Sequence, residues 1–318
     1  MAVPAEKISI SDLVLKRWIE SKKAKIRIWP CHVNRASSLG HPCERYLVYC
    51  RTAWNKKAPY DWELQVIFDE GNRQEKAVEE DLRDAGFNLI EQQRPFEMKE
   101  LLITGHIDGK ILLENRGIPY EAKSMSPHIW HTVQSIQDML DHKYAYMRKY
   151  PAQMNLYLLM DNKDYGIFIL KNKSTGMWRI LDVYLDYEYA ESLLKKAERI
   201  NAHCKKNTLP EHIQDMNVCQ RCEFRHICLP DMGGVEFTDG KIIDLLDERH
   251  DLIDLIDKSP IPDCQKRLKE INELLRMVFK DRSSVIAGPY LITGKWAGNG
   301  SRRYWKLNIV SSNIPEAQ

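Results

Sequence analysis

A change in the spacing of apolar residues limits the fold of this chain more than any other feature. From about residue 62 to 85, apolar side chains recur at the three- and four-residue intervals of a helix. From about 87 to 123 they come instead in short runs of strand length, separated by turn residues. Helical spacing returns at about 128–160 and 186–206, with two strand-like runs between those segments. This order predicts an α/β fold with a mixed central sheet.

Several local signals predict where these elements begin and end. Ser37 or Ser38 is expected to cap a helix through 44–54. Pro151 lacks an amide hydrogen and is expected to separate two helices within 128–160. Asn115, Arg116 and Gly117 together form a turn sequence, which predicts a hairpin at that point.

The pattern divides the chain into four predicted segments. Residues 1–60 form a helical N-terminal segment with a first metal-binding cysteine, and 61–206 form the α/β core. Residues 207–232 form a loop-rich cysteine segment. Residues 233–318 form a helix pair followed by a β-hairpin.

The composition favours a folded intracellular protein. The chain has 318 residues, of which 43% are hydrophobic, so it can form a substantial core. A net charge of +2 neither indicates nor excludes nucleic acid binding, which depends on local patches. We expect no membrane association, because no apolar run approaches the length of a span and the start lacks a signal-peptide pattern.

Asp108, Glu121 and Lys123 form the candidate catalytic group. Asp108 is expected inside a strand, and Glu121 and Lys123 are two residues apart on the next strand, so they should project from the same face. Pairing of the two strands across a turn at 114–118 would bring Asp108 to that face. Two carboxylates bind a hard divalent cation, and a neighbouring lysine can orient water and stabilise charge. These groups suffice for phosphodiester hydrolysis.

A second set of residues has the same spacing and serves as a comparison. Asp84 precedes Glu97-Met98-Lys99 by the interval that separates Asp108 from Glu121. Asp84 falls at the end of a predicted helix, beside Gly86, which is expected to stop that helix. The context therefore favours the Asp108 set. The alternative is that a Glu-x-Lys triplet on a surface strand serves solubility alone.

Three cysteines within ten residues give a more specific signal. Cys219, Cys222 and Cys228 follow the spacing Cys-x2-Cys-x5-Cys. In an intracellular chain this spacing argues for a metal site rather than a disulfide framework. Four thiolates can hold zinc or an iron–sulfur cluster, and the spacing does not decide between them. The alternative is a chance grouping of buried structural thiols.

The fourth ligand is expected from the N-terminal segment. Cys43 is our choice because it begins the run Cys43-Glu44-Arg45. Cys31 and Cys50 are the alternatives. A site with ligands from both the N-terminal segment and the cysteine segment would mainly hold these two parts of the chain together, and folding would depend on it.

Six segments, taken in order, carry a resemblance to a known family. They are Cys43-Glu44-Arg45, Gly71-Asn72-Arg73-Gln74-Glu75, Gly105-His106-Ile107-Asp108, Glu121-Ala122-Lys123, Gln153-Met154-Asn155-Leu156-Tyr157 and the Cys219, Cys222, Cys228 cluster. Together they resemble the RecB-like branch of the PD-(D/E)XK nuclease superfamily. More narrowly, they resemble the iron–sulfur members of that branch: the CRISPR-adaptation exonuclease, the AddB nuclease domain and related phage nucleases. The resemblance implies a restriction-endonuclease-like core, with a mixed central sheet flanked by helices, plus a cysteine cluster domain.

The resemblance also implies roles for individual residues. Asp108, Glu121 and the Ala122 carbonyl would bind Mg2+ or Mn2+, and Lys123 would position the attacking water. Gln153 and Tyr157 would support the site and touch DNA, although this spacing on a helix is more often ordinary packing. Glu75 stands where many members have a metal-binding histidine, a departure that bears on metal preference. The cysteines would hold a 4Fe–4S cluster rather than zinc.

The resemblance implies DNA as the partner, degraded from single-stranded ends. The terminal hairpin adds Arg302, Arg303, Tyr304 and Trp305, which interleave cations that bind phosphates with aromatic rings that stack on bases. A hairpin that packs its tryptophans on the core is the alternative. The sequence contains no Walker-type motif, so coupling to a helicase, or a role in recombination or CRISPR adaptation, would need a partner protein.

Three other functions compete with an exonuclease. A non-catalytic DNA-binding or scaffold protein could keep the fold and the cluster and cut nothing when metal is added. An endonuclease of the same superfamily would cut closed circular DNA. A zinc-stapled protein with an unrelated activity would be colourless after anaerobic purification.

Overall fold

The computed structural model describes residues 9–213, 215, 218–219, 221–228, 240–258, 262–282, 284–288, 290–298 and 303–311. The chain divides into two compact units. The first comprises Met1–Ser124, Ala145–Lys171 and Trp178–Ile213, and the second comprises Met125–Tyr144, Asn172–Met177 and Gln214–Gln318. The four-segment division expected from the sequence stays a prediction.

The described residues form helices and strands in alternating groups. The α-helices are α1 Ile10–Lys23, α2 Ala36–Leu39, α3 Glu44–Thr52, α4 Trp62–Asp84, α5 Pro127–Thr132, α6 Ile136–Leu140, α7 Ala145–Met160, α8 Tyr187–Lys206, α9 Arg225–Cys228, α10 Gly240–Lys258 and α11 Pro262–Val278. The strands are β1 Asn34–Arg35, β2 Asn88–Ile90, β3 Pro95–Met98, β4 Ile103–His106, β5 Gly109–Leu113, β6 Arg116–Met125, β7 Tyr165–Asn172, β8 Trp178–Tyr184, β9 Ser284–Ala287, β10 Tyr290–Ala297 and β11 Tyr304–Ser311. Short 3-10 turns lie at Trp54–Lys56 and Lys99–Leu101. None of the described helices has the length and apolar character that a membrane crossing requires.

The first unit contains two sheets. A five-stranded sheet has the order β2-β5-β6-β7-β8, and a three-stranded sheet has the order β1-β4-β3. The smaller sheet is mixed, because β1 pairs with β4 in parallel while β3 pairs with β4 antiparallel. The predicted α/β fold, with mixed sheet and flanking helices, is confirmed.

The start, the buried face and the end of helix α4 all follow from its local sequence. Asp61 caps it by accepting the Leu64 amide hydrogen at 2.9 Å. Val78 and Leu82 are buried on one face, and Gly86 adopts a φ of 86° just beyond the helix end. The helical spacing and the predicted stop are therefore both observed.

The hairpin β5–β6 places the candidate catalytic strand. Gly109 pairs with Tyr120, and Leu113 pairs with Arg116. The two turn residues are Glu114 and Asn115, with φ of 47° and 64°. A two-residue hairpin of this type needs positive φ at both positions. The turn is therefore shorter than predicted, because Arg116 and Gly117 are already paired in the strand.

Two predicted helix boundaries were wrong. Helix α3 is capped by the sulfur of Cys43, which accepts the Tyr46 amide at 3.3 Å, while Ser37 and Ser38 lie within α2. Pro151 lies inside α7, where it is buried. The packing of this buried helix outweighs the one hydrogen bond that proline cannot donate.

The second unit includes the C-terminal elements. Helices α10 and α11 pack together, and β9, β10 and β11 form an antiparallel sheet of order β11-β10-β9. The predicted helix pair and the pairing of the last two strands are observed, and β9 adds a third strand. Leu246, Cys264, Leu275 and Phe279 belong to the buried apolar cluster of this unit.

Candidate active site

Asp108 lies in a two-residue link between strands, not inside a strand as predicted. Strand β4 belongs to the three-stranded sheet and β5 to the five-stranded one, so strand pairing is interrupted where the chain passes between them. Ile107, the other link residue, is fully buried and anchors this crossing. Asp108 is itself buried, and its Oδ2 accepts the Ala122 amide hydrogen at 2.9 Å. This hydrogen bond holds the carboxylate against β6.

Glu121 and Lys123 project from the same face of β6. Glu121 is only 1% exposed, and Lys123 is partly buried. Lys123 Nζ lies 2.6 Å from Glu121 Oε1. Ala122, on the opposite face, packs into the apolar cluster that includes Val78 and Tyr120. Because successive side chains of the strand point to opposite faces, the polar groups of the site are separated from the apolar core.

Helix α7 supplies polar groups to the same place. Gln153 Nε2 donates hydrogen bonds to Glu121 Oε1 at 2.7 Å and to the Tyr157 hydroxyl at 3.2 Å. The Tyr157 hydroxyl also accepts the His106 amide hydrogen at 3.2 Å. The structure therefore joins Gln153 and Tyr157 to the carboxylate group, while their predicted contact with DNA stays a prediction.

Glu75, on α4, belongs to the same electrostatic environment. Burial and the charge of Asp108 raise its pKa from 4.5 to about 7, and Lys123 opposes that rise. Its Oε1 accepts a hydrogen bond from Gln93 Nε2 at 2.7 Å. Gln93 was not predicted, because it follows a strand with no motif around it.

Burial and nearby charges also shift the pKa values of Glu121 and Lys123. Burial and the nearby Asp108 raise the pKa of Glu121, against the effect of Lys123. Burial would lower the pKa of Lys123, but the charges of Glu121 and Asp108 outweigh it and raise that pKa. The site thus crowds three carboxyl groups around one charged amine.

The residues fit a divalent metal ion. Oε2 of Glu121 is buried and has no hydrogen-bond partner among the described residues. A buried acceptor without a partner is costly unless a cation or another donor meets it. Carboxylate oxygens are the ligands that Mg2+ and Mn2+ prefer.

Tyr150 is a further candidate residue of the site that no sequence motif indicated. Lys123 Nζ lies 5.1 Å from the centre of its ring, a cation–π distance. Tyr150 precedes Gln153 by three positions and Tyr157 by seven, so all three share one face of α7. That spacing was the available signal, but a tyrosine in an apolar helix rarely signals function.

The comparison set, which is Asp84, Glu97 and Lys99, lies in a different environment from the Asp108 set. Asp84 ends α4, and Glu97 lies on β3. Asp84, Glu97 and Lys99 are all exposed. These residues are available as controls for the Asp108 set.

The cysteines fall in both units, and none of the eight forms a disulfide. In the second unit, Cys222 Sγ accepts the Phe224 amide hydrogen at 3.4 Å, just as Cys43 Sγ accepts that of Tyr46 in the first. Amide hydrogens directed at sulfur favour the thiolate that a metal requires. Cys219 and Cys228 are half-buried in the second unit. A cluster shared by Cys43 and these three stays a prediction.

The terminal hairpin carries an exposed aromatic and cationic patch. Trp296 is 42% exposed and lies edge-on to Trp305, with ring centres 5.5 Å apart. Arg303 lies over the Trp296 ring at 5.4 Å, and Lys280 at 5.9 Å. Tyr304 is also exposed. Arg302 lies outside the described residues.

Comparisons with known proteins find no match in sequence and weak likenesses in structure. No protein-family model and no curated protein sequence matches the chain. The chain is similar to the crystal structure of SSO0001, with 16% identity and a TM-score of 0.39 over 70% of this chain and 96% of that one. It is also similar to the alkaline exonuclease LHK-Exo from Laribacter hongkongensis, with 11% identity and a TM-score of 0.37 over 60% of this chain and 93% of that one. LHK-Exo in complex with dAMP gives 10% identity and a TM-score of 0.37 over the same shares, 60% and 93%. At such values these likenesses carry no weight for function, which we infer from the site alone.

Proposed function

We propose that this chain is a metal-dependent DNA exonuclease of the PD-(D/E)XK type, acting on single-stranded ends. The observation that carries the proposal is the buried Oε2 of Glu121, which has no hydrogen-bond partner in the described part of the chain and lies beside Asp108 and Lys123. Asp108, Glu121, Glu75 and the Ala122 carbonyl would hold Mg2+ or Mn2+. The ion would neutralise charge on the scissile phosphate and lower the pKa of its bound water.

Lys123 orients water and stabilises negative charge in this proposal, and it is not the base. Its pKa is raised by the charges of Glu121 and Asp108, so the amine is protonated at neutral pH and cannot accept a proton. A protonated amine donates hydrogen bonds to water and to the phosphate oxygens that gain charge. Tyr150, under Lys123, keeps the amine on this side of the strand.

Gln153 and Tyr157 act as positioning residues. The Gln153 amide donates to Oε1 of Glu121, the same oxygen that Lys123 contacts. Oε2 is thereby directed away from these donors and left for the cation. The hydroxyl of Tyr157 holds the Gln153 amide in turn.

The patch on the terminal hairpin supports single-stranded DNA as the substrate form. An exposed Trp296 offers a surface on which unpaired bases stack, and Arg303 and Lys280 beside it can bind phosphates. We include Arg302, Arg303, Tyr304 and Trp305 in the proposed DNA contact. Binding through this patch should weaken steeply as salt is raised.

We also propose a 4Fe–4S cluster on Cys43, Cys219, Cys222 and Cys228, with zinc as the alternative. The amide hydrogens directed at the sulfurs of Cys43 and Cys222 support a metal–thiolate site. The cluster would have a structural role, since the hydrolytic groups are supplied by the carboxylates and Lys123.

The decisive test compares the wild type with Lys123→Ala on end-labelled single-stranded, double-stranded and closed circular DNA, with Mg2+ or Mn2+. We expect digestion from labelled ends, no cutting of circles, and a loss of at least about 100-fold in the variant. Lys99→Ala, which changes the exposed lysine of the comparison set, should keep full activity. Retained metal-dependent digestion by Lys123→Ala would refute the site. Cutting of closed circles would make the protein an endonuclease, and binding without cutting would make it a scaffold.

A further inference from the structure

A second group of metal-binding side chains lies in the second unit, separate from the residues discussed so far. His131 is in the last turn of α5, and Asp263 and Cys264 are adjacent in the first turn of α11. One ligand atom from each residue lies within 4.8 Å of the others. Helices α5 and α11 are in contact, and this group lies where they meet.

The distances suit ligands of one ion better than a direct hydrogen bond. His131 Nε2 lies 3.6 Å from Asp263 Oδ1, which is too long for a good hydrogen bond. Metal–ligand bonds to zinc are about 2.0–2.3 Å, so two ligands of one tetrahedral ion lie about 3.2–3.8 Å apart. The observed separation falls within that span.

An unpartnered atom independently points to a cation. Oδ1 of Asp263 accepts the Cys264 amide hydrogen at 3.1 Å. Its Oδ2 is buried and has no hydrogen-bond partner among the described residues. Such an oxygen carries the full cost of desolvation unless a cation or a donor meets it. An ion held by both oxygens of this carboxylate would match the distance to Oδ1 and also satisfy Oδ2.

The three candidate ligands differ in exposure, with the cysteine buried and the histidine and aspartate nearer the solvent. Cys264 is 0% exposed and packs with Ile271 and Leu275, whereas His131 and Asp263 keep 22% and 21% of their side-chain surface. An ion could enter past the imidazole and the carboxylate and meet the sulfur beneath them. The Trp130 ring lies edge-on to the His131 ring, with ring centres 5.1 Å apart.

We propose that His131, Asp263 and Cys264 form a zinc site that fastens α5 to α11. Nitrogen, oxygen and thiolate together are a donor set that zinc accepts and that Mg2+ or Ca2+ does not prefer. Water completes the tetrahedron on the exposed side. Binding exchanges the thiol proton for the metal: the S–H bond breaks, the Zn–S bond forms, and one proton is released to solvent.

The protonation of Cys264 is consistent with this exchange. Burial, and secondarily Asp263, raises the pKa of the thiol to about 11, so without metal the residue stays a neutral core side chain. Metal affinity should then increase with pH, because each ion must displace a proton.

Cobalt(II) is the probe that tests the proposal, because tetrahedral cobalt absorbs visible light and a cobalt–thiolate bond absorbs in the near ultraviolet. Co2+ is titrated into the full-length protein, into His131→Gln and into Cys264→Ser, and the bound equivalents are counted. The cysteine cluster would contribute equally to all three proteins, so the readout is the difference. We expect each variant to bind one equivalent fewer than the wild type. Zn2+ added to the wild type should displace that equivalent.

Two controls keep the test specific. His250→Gln removes an exposed histidine of the same unit, and Cys204→Ser removes a cysteine of the first unit, and both should bind as the wild type does. Cys264 is buried, so its variant could unfold, but His131 is partly exposed and its variant should retain the wild-type circular dichroism. A folded His131→Gln protein that binds as much Co2+ as the wild type, with the same absorption, would overturn the site.

Discussion

At the scale of single residues, burial and repulsion set the protonation of the candidate site. The pKa of Glu75 rises from 4.5 to about 7, and that of Glu121 is also raised above its ordinary value of 4.5. A carboxyl with a higher pKa in the folded state binds more protons when folded, so stability falls as the pH rises from the unfolded value through the folded value. Without metal, both groups should therefore destabilise the protein above about pH 5. A divalent cation between the carboxylates would remove this cost.

Glu75→Gln tests this linkage through metal binding. We expect Mn2+ affinity of the wild type to increase with pH below pH 7 by up to about tenfold per pH unit for each proton that the ion displaces, one from Glu75 and one from Glu121. The variant should bind Mn2+ more weakly and should show a flatter profile between about pH 6 and 7. Isothermal titration calorimetry at several pH values measures both effects. Glu80→Gln changes an exposed neighbour on α4 and should behave as the wild type. If the Mn2+ affinity of the wild type did not change with pH in this range, the assignment of Glu75 as a metal ligand would be wrong.

At the scale of elements, strand β4 and helix α7 approach so closely that glycine is required between them. A Cβ on Gly105 would lie 2.5 Å from Cε1 of Tyr157 and 2.7 Å from its hydroxyl. The Tyr157 ring also stacks on Phe96, with ring centres 5.8 Å apart, so it has little freedom to move. The position of Gln153, and through it that of Glu121, depends on this contact.

Gly105→Ala should therefore be destabilising and should also disturb the site. We expect the free energy of unfolding to fall by about 1–3 kcal/mol, the usual cost of overpacking, together with a loss of nuclease activity. Gly71→Ala is the matched control, because no atom of the described residues lies within 4 Å of its added Cβ and the residue is inside α4. That change should raise stability by up to about 1 kcal/mol. Chemical denaturation of both variants gives the comparison, and an unchanged Gly105→Ala protein would show that β4 and α7 are farther apart than described.

At the scale of the whole molecule, the chain passes back and forth between its two units. Residues 125–144 and 172–177 belong to the second unit although the sequence on either side belongs to the first. Each unit therefore depends on segments that are distant in sequence. A metal centre with ligands far apart along the chain would hold such segments together, and its binding free energy would become folding free energy.

The cysteine variants test the predicted cluster. Protein purified without oxygen should be brown and should contain iron and sulfide. Cys222→Ser should lose the colour and much of the thermal stability, whereas Cys204→Ser should keep both. Serine variants of Cys43, Cys31 and Cys50 identify the fourth ligand by which one loses iron. A colourless wild type containing zinc would rule out the iron–sulfur cluster.

The amino-acid pattern by itself determined the local features of this protein. Apolar spacing predicted most helices and strands, including α4, β7 and β8, because backbone periodicity decides which side chains share a face. The same rule placed Glu121 and Lys123 together, two residues apart on β6. Their catalytic roles stay predictions.

Only the tertiary structure decided which groups distant in sequence come into contact and where the structure departs from local sequence preferences. Asp108 lies outside a strand because the chain passes between two sheets there, and Pro151 is accepted inside α7 because that helix is buried. Tyr150 reaches Lys123, and His131 reaches Asp263, only through packing. Periodicity is a property of neighbouring residues, whereas these contacts arise from the shapes and burial of segments far apart in sequence, which local spacing does not encode.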